Sequence, residues 1–513
     1  MKKLFSSLLV CLMILSTCNA ALAEANFEEP IAITANYYMT EMASADDDVY
    51  RHFADKFNIE IDMNGISSDA WVSTNNIMIS GGNMYDWMSW EFDYATYISY
   101  VDQGLLKPLP EGWEERYPTL YKAMEASGIM EQLYVDGQIY AIPHTIYLNY
   151  TTGDVAFPHQ QTILYRADWL EELGMGPWGE TVTVSEMMDF CRAAVEADMA
   201  QNGQTIGLCG SEDALTGLIM NLFNTQYDKP MLGEDGQYIW GPTAPGVTDG
   251  IVYYKSLYES GAIDPDFYLT SRYDAQNDFS AGLAAVICTN GTITNIVDMY
   301  KAVDTATVGD PYEIMKCTVL VDDEGVWHGN ETTNFWLVSL FNAEMDDAAL
   351  ERTLYLIDYL YTPEAELIVN MGIEGVDWQE NEDGSFESLL DPQYEAARYK
   401  YPSCWFWRFS ALCPDEFSFI NPTEDQVVQE RVNALYATRA ALAEEHGYTP
   451  LDAKVTYLTG EAMDNYSVNV MEEVVRIVVD ANITADQVET EWTNFIEAYR
   501  NMWQPVIDAL NAE

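Results

Sequence analysis

"IAITANYYMTEMASADDDVYRHFADKFNIEIDMN", residues Ile31 to Asn64, holds two β-like runs with a helix between them. Ile31 to Ala35 reads as a short strand. Asp46-Asp47-Asp48 then supplies an acidic first turn, which suits the positive end of a helix dipole, to a helix carrying Val49, Phe53 and Phe57 on one face. Ile59 to Met63 is the next strand. A second helix runs through Trp71 and Ile77 to Gly81-Gly82, and Tyr85 to Trp90 makes a third strand. The order βαβαβ implies a mostly parallel sheet covered by helices, since parallel neighbours need a crossover. Ligands on such sheets sit beyond the carboxyl ends of the strands, where Trp90 to Asp93 falls.

That stretch belongs to "MYDWMSWEFDYATYISYVDQGLLKPLPEG", Met84 to Gly112, with seven aromatic residues in its first seventeen positions. A buried strand favours Val, Ile and Leu, whereas Trp87, Trp90 and Phe92 alternate here with Ser89, Glu91 and Asp93. A surface both apolar and polar suits a sugar-like ligand, and Trp90 is expected to face ligand more than core. From Tyr94 a helical stripe follows through Tyr97, Ile98, Val101 and Leu105, ended by Gly104 and Pro108. Asp93 is then also a natural N-cap, a role that needs no ligand.

Further on, "LYVDGQIYAIPHTIY" turns at Asp136-Gly137, and Asn149 to Gln161 is loop-like. "ILYRADWLEELGM" restarts with a strand and a helix. The region to about Asp322 alternates helices with β-like runs such as "AGLAAVICTNG", as a second lobe of the same class would. "TNFWLVSLF" is a strand able to return the chain to the first sheet. Helices are expected over Leu350 to Met371, Glu424 to His446 and Met471 to the C-terminus. Trp492, Phe495, Ile496, Tyr499 and Trp503 mark a buried face of the last.

The chain has 513 residues, 48% of them hydrophobic, enough for two to four domains. Its formal charge is -60, from 23 basic and 83 acidic residues spread along the chain, which repels phosphate backbones and anionic headgroups and excludes nucleic acid as a partner. Lys2 and Lys3 precede an apolar run from Leu4 to Leu15 and small residues ending Ala21-Leu22-Ala23, a Sec leader cleaved after Ala23. Leu15-Ser16-Thr17-Cys18 also loosely resembles a lipobox. Export places the mature chain outside the cell or on its surface, or in the periplasm if the source has an outer membrane. Six cysteines remain, without C-x-x-C; Cys404 and Cys413 are the closest pair in sequence.

Catalytic motifs are weak. Gly174-Met-Gly176-Pro-Trp-Gly179 matches G-x-G-x-x-G but follows a helix, and Pro177 removes an amide that a pyrophosphate would need. Asp198-x-Ala200-x-Asn202-Gly203 is a worn calcium loop in which Ala200 cannot ligate and Cys209 stands where a bidentate Glu belongs. No metal, cofactor or catalytic residue is assigned. In "YPSCWFWRFSALCP", Trp405, Trp407 and Arg408 follow neither a helical nor a strand period.

"MISGGNMYDWMSW", "YISYVDQGLLKPL", "VDGQIYAIP", "LYRADWLEELGM", "LIDYLYTPEAELIVNMGIEGVDW" and "WTNFIEAY" occur in the order found in the large, lipoprotein-type family 1 extracellular solute-binding proteins of carbohydrate ABC importers, which the chain resembles. The resemblance implies an α/β, two-lobed periplasmic-binding-protein-like fold (type II) with a helix-rich C-terminal part. Lobe 1 is expected over 24–148, a hinge crossing at 149–161, lobe 2 over 162–326, a return to lobe 1 over 327–375, and lobe 2 with the C-terminal helices over 376–513. The implied function is capture of a carbohydrate, an oligosaccharide, in the inter-lobe cleft by a monomer, for delivery to permease subunits served by a separate ATPase. By position, Asn36, Tyr37, Trp90, Asp93, His144, Tyr147, Trp405, Trp407 and Arg408 resemble cleft-lining residues, with Asn290 contributed by the second lobe. The rivals are a receptor for a non-sugar solute such as a peptide, and a secreted carbohydrate-active enzyme.

Overall fold

The aspartate run fixes where the first helix begins. Asp47 is extended and its carboxylate accepts the Tyr50 amide at 2.9 Å, so α1 spans Asp48–Phe57 with Val49, Phe53 and Phe57 fully buried. The computed structural model describes residues 27–38, 46–67, 70–148, 161–391, 394, 396–412 and 416–512. The leader, most of the expected hinge crossing and Cys413 lie outside them.

In chain order the strands of the two main sheets are β1 (Ile31–Tyr38), β2 (Ile59–Ile66), β3 (Trp87–Glu91), β4 (Ala141–Thr145), β5 (Gln161–Arg166), β6 (Thr181–Thr183), β7 (Ile206–Cys209), β8 (Ala284–Asn290), β9 (Met315–Val321) and β10 (Phe335–Phe341). The first sheet has the order β2-β1-β3-β10-β4 and the second β6-β9-β5-β8-β7. In each, a single strand runs against the rest: β10 is antiparallel to β3 and β4, and β5 is antiparallel to β8 and β9. β1 and β2 extend about three residues past their expected ends, because the backbone pairing continues under Asn36, Tyr37 and Tyr38.

The chain divides into two compact units, 1–154 with 333–426, and 155–332 with 427–513. Residues 376–426 therefore belong with the first sheet, which corrects the expected return to lobe 2 at 376. The reason is packing. Trp407 lies edge-on to Phe53 with ring centroids 5.0 Å apart, Phe406 meets Trp87 at 5.5 Å, and Ser403 bonds the Asp47 carboxylate through its amide and hydroxyl at 2.8 and 2.7 Å. The expected helix over Leu350 to Met371 is two, Asp347–Leu360 and Pro363–Met371, since Pro363 lacks the N–H needed to continue the first.

In the second unit the helices Val470–Val479, Val488–Ala498 and Arg500–Ala512 pack on the sheet's helical cover. Trp492, Phe495 and Trp503 are buried as expected, and the Trp492 indole donates to the Pro242 carbonyl at 2.9 Å. Tyr499 is not buried: the helix ends there and its ring is 37% exposed. Helix α2 (Gln426–His446) ties this sheet together. Its Arg439 donates to the Gln161 carbonyl and the Thr162 hydroxyl at the start of β5, and its Arg431 to the Met315 carbonyl at the start of β9. No helix among the described residues is long and apolar enough to cross a membrane, and Cys191, Cys209, Cys288, Cys317 and Cys404 are free thiols.

The weakest backbone junction in the first sheet is β1 to β3, which pair only at Ala35 and Trp87. Side chains complete it. Asn36, 1% exposed, donates to the Ser89 carbonyl at 2.9 Å and to Asn75 at 2.8 Å, and accepts the Ser89 amide at 2.7 Å. At the other end Asp86 accepts the Thr34 amide and hydroxyl at 2.8 and 2.9 Å. Asn36→Ala leaves Asn75 and both Ser89 backbone groups without these bonds in a dry site, and is expected to cost about 2–4 kcal/mol in urea unfolding. Asp93→Ala, which removes only a helix cap, should cost about 1 kcal/mol.

Candidate functional site

In an open α/β sheet the helices leave room for a ligand only at the carboxyl ends of the parallel strands. In the first unit those ends are Tyr38, Ile66, Glu91 and Thr145, joined by Phe335 at the start of the antiparallel β10. Aromatic rings gather there. Tyr38, half-buried, meets Trp71 and Trp336 edge-on, each at 5.3 Å, and Trp336 is itself half-buried. Glu91, the last residue of β3, is exposed, and partial desolvation raises its carboxyl above the usual carboxylate value.

In the second unit the corresponding ends are Thr183, Cys209, Asn290 and Val321, with Gln161 opening β5. A cavity of about 50 Å³ lies here, lined in part by Gln161, Asn221, Trp327, His328 and Arg439. The turn bearing Trp327 is held by Asp322, whose carboxylate accepts the Val326 amide at 2.8 Å and meets the His328 Nε2 at 2.8 Å; these contacts outweigh its partial burial and lower its carboxyl. Arg439 is 1% exposed; burial lowers its guanidinium to about 10, so it stays charged at neutral pH, aimed at Gln161 and Thr162.

The residues nominated from sequence are distributed differently. Asn36 is the β1–β3 staple, and Tyr37 is 7% exposed with burial raising its phenol. Trp90 is 1% exposed; its indole donates to Asn76 at 2.7 Å and its ring tilts against Tyr100 at 5.7 Å. This corrects the expectation that Trp90 turns away from the core: the polar residues between the aromatics serve internal bonds. Asp93 is exposed and caps the helix Tyr94–Asp102 by accepting the Thr96 amide at 2.8 Å. His144 is fully buried, its Nε2 2.8 Å from the Ser339 hydroxyl, which also accepts the Trp87 indole at 2.8 Å.

Tyr147 stands just past the end of β4, its amide donating to Asn334 at 3.0 Å, and its ring is half-buried. Trp405 and Trp407 are buried in the first unit, and Arg408 lies 3.9 Å from Glu424, which also binds Arg398. Asn290 does end β8 at the carboxyl edge, where its side chain accepts the Thr292 amide at 2.8 Å. Of the nominated residues, Tyr147, Asp93 and Asn290 reach a carboxyl edge with exposed or half-buried side chains. Tyr38, Trp327 and Trp336 were missed. The signal for the two tryptophans was their placement on either side of the connection from β9 to β10, in "VDDEGVWHGNETTNFW".

No family model matches the chain. It is 25% identical over 283 residues to the polygalacturonan/rhamnogalacturonan-binding protein YtcQ of Bacillus subtilis (strain 168), a match covering 53% of this chain and 51% of that protein, so it spans about half the length of that relative. Among solved structures, the alginate-binding protein AlgQ2 without calcium ion superposes with a TM-score of 0.67 at 14% identity, over 94% of this chain and 98% of that one. The S. pneumoniae ABC-transporter substrate binding protein FusA in complex with kestose gives 0.63 at 16% identity, over 94% and 99%. This chain has the solute-binding-protein fold. In that fold the calcium loop is the one metal site the sequence raised, and the residues present do not fit it. Asp198 turns both carboxylate oxygens to the Gly203 amide at 3.0 Å and one to the Thr205 hydroxyl at 2.8 Å, while Asn202 accepts the Gln204 amide and Cys209 is buried in β7.

His144 gives the protein a built-in acid sensitivity. Burial lowers its imidazole from 6.5 to about 3, and Nδ1 has no partner among the described residues. Below 6.5 the unfolded chain binds a proton that the folded chain refuses, so this contribution is complete above that value and is lost as pH falls toward 3. Urea unfolding across mildly acidic pH should show the wild type losing up to about 1.4 kcal/mol per pH unit more than His144→Gln. Equal slopes would place the sensitivity elsewhere.

Proposed function

We propose that the protein is an exported receptor that captures a carbohydrate, an oligosaccharide, at carboxyl sheet edges lined by aromatic rings and hands it to the permease of an ABC importer powered by a separate ATPase. The observation that carries this reading is the placement of Tyr38, Trp336 and Trp327 at those edges. A flat ring packs on the C–H face of a pyranose, and neighbouring Asn, Gln, Glu and Asp side chains bond its hydroxyls. The fold shared with a protein named as alginate-binding and with a substrate binding protein solved in complex with kestose supports it. The protein acts as a monomer and catalyses no reaction. A peptide receptor would need a charged group for the ligand's termini, but Arg408 faces Glu424 and Arg439 faces Gln161 and Thr162. An enzyme would draw on Glu366, which burial and Glu416 raise to about 7 although Arg408 opposes them.

Two measurements test the reading. A cognate oligosaccharide at ~100 times its Kd should stabilise the fold by about 2.7 kcal/mol, seen as a raised Tm, and release no reducing ends on long incubation. Product release would replace the receptor with an enzyme. Trp336→Ala should weaken binding by about 2 kcal/mol or more. Trp90→Ala should instead cost roughly 3–5 kcal/mol of stability and leave the affinity of the folded fraction nearly unchanged. Calorimetric titration with urea unfolding on both variants separates them; a Trp336 variant with wild-type affinity would remove that ring from the site.

A further inference from the structure

The second sheet has a notch in one edge. Its outermost strand, β6, is three residues long and pairs with β9 only at Val319, Leu320 and Val321, so Met315 to Thr318 have β5 on one side and no strand on the other. The chain leading into β6 skirts the gap, where the Glu180 carbonyl accepts the Val319 amide at 3.0 Å and the Thr318 hydroxyl at 3.2 Å. From α2, Arg431 donates to the Met315 carbonyl at 2.9 Å, in place of a neighbouring strand. Between these elements lies a cavity of about 240 Å³, lined in part by Tyr165, Trp178, Lys316, Cys317, Arg431 and Leu435. It sits toward the amino ends of β6 and β9, at the end of this sheet opposite Asn290 and Trp327.

The walls of the cavity are apolar and its charge is mainly positive. The Tyr165 and Trp178 rings stand 4.5 Å apart, and Trp178 is half-buried. Burial pushes the Tyr165 phenol up to about 12 and the Cys317 thiol up to about 11, although Arg431 pulls both down, so neither carries a negative charge at neutral pH. Lys316 is exposed and Arg431 half-buried. Arg431 bonds the Tyr300 hydroxyl and the Met315 and Tyr312 carbonyls, which are neutral acceptors. Among the described residues neither cation forms an ion pair, and Glu180, the one acidic residue of the lining, reaches neither. In a chain whose 83 acidic residues outnumber its 23 basic ones, a cavity with two cations and one carboxylate runs against the overall charge.

An anion entering this cavity gains charge-assisted bonds, and an apolar body behind it is covered by the aromatic pair. The volume falls below the roughly 300–1,000 Å³ of pockets that enclose drug-sized ligands, which limits the occupant to one ring with its acid group. We propose that this cavity is a second binding site, independent of the carbohydrate reading, that takes a small organic acid: a carboxylate held by Lys316 and Arg431, and an aromatic ring against Trp178 and Tyr165.

The experiment is calorimetric titration of the protein with phenylacetate and indole-3-acetate, each beside its uncharged amide, at low and high salt. The expected result is one site for each acid, amides that bind at least about tenfold more weakly, and acid affinities that fall as salt screens the two cations. Lys316→Gln, at an exposed side chain, should weaken the acids by about tenfold while leaving the Tm and the amide affinities unchanged. Trp178→Ala should weaken acids and amides together. Acids that do not bind, acids that bind no better than their amides, or a Lys316→Gln variant with wild-type affinity for the acids would each overturn the proposal.

Discussion

The first unit depends on a junction that backbone pairing alone does not make. β1 and β3 meet through one register pair, and the seam is closed by Thr34 with Asp86 at one end and by Asn36 with Ser89 and Asn75 at the other. An asparagine side chain offers an amide's donor and acceptor without the chain's continuity, so Asn36 bonds Ser89 as a neighbouring strand would. The seam fixes β3, and β3 carries the indole of Trp87 to Ser339 on β10, the strand that joins β4 to the sheet. The aromatic edge formed by Tyr38 and Trp336 therefore rests on polar contacts buried several residues away.

The second unit solves the corresponding problem from outside its sheet. Its antiparallel strand β5 is gripped at its first residues by Arg439, and the start of β9 by Arg431, both from α2. Burying a guanidinium is costly unless its donors find acceptors, and here carbonyls and a hydroxyl supply them. One helix thereby registers two strands of opposite direction.

Much of this architecture is legible in the sequence, and the reason is local. The βαβαβ start, the cap at Asp47 and the role of Asp93 follow from periodicity and capping chemistry within a few residues. The strand ends at Tyr38 and Ile66 are not legible in the sequence, because Asn36 and Tyr37 look like loop residues until their partners are known. The burial of Trp90, His144 and Trp407 is hidden for the same reason. Aromatic residues interleaved with Ser and Asn describe a wet surface and a polar-stapled core equally well, and only the contacts with Asn76, Ser339 and Phe53 separate the two. Trp327 and Trp336 became visible as edge residues only once strand order was known, because that order pairs β10 with strands more than 180 residues earlier.

That strand order also sets a timetable for synthesis. β4 joins the first sheet only through β10, and between them in sequence lies the whole first segment of the second unit, with β5 to β9. A growing chain that has produced β1 to β4 cannot close its first sheet; β4 must wait until residue 341 has emerged. Contacts this distant in sequence form late, since a long loop must be closed before any bond rewards it. Until then β3 lacks the neighbour that lies between it and β4 in the finished sheet.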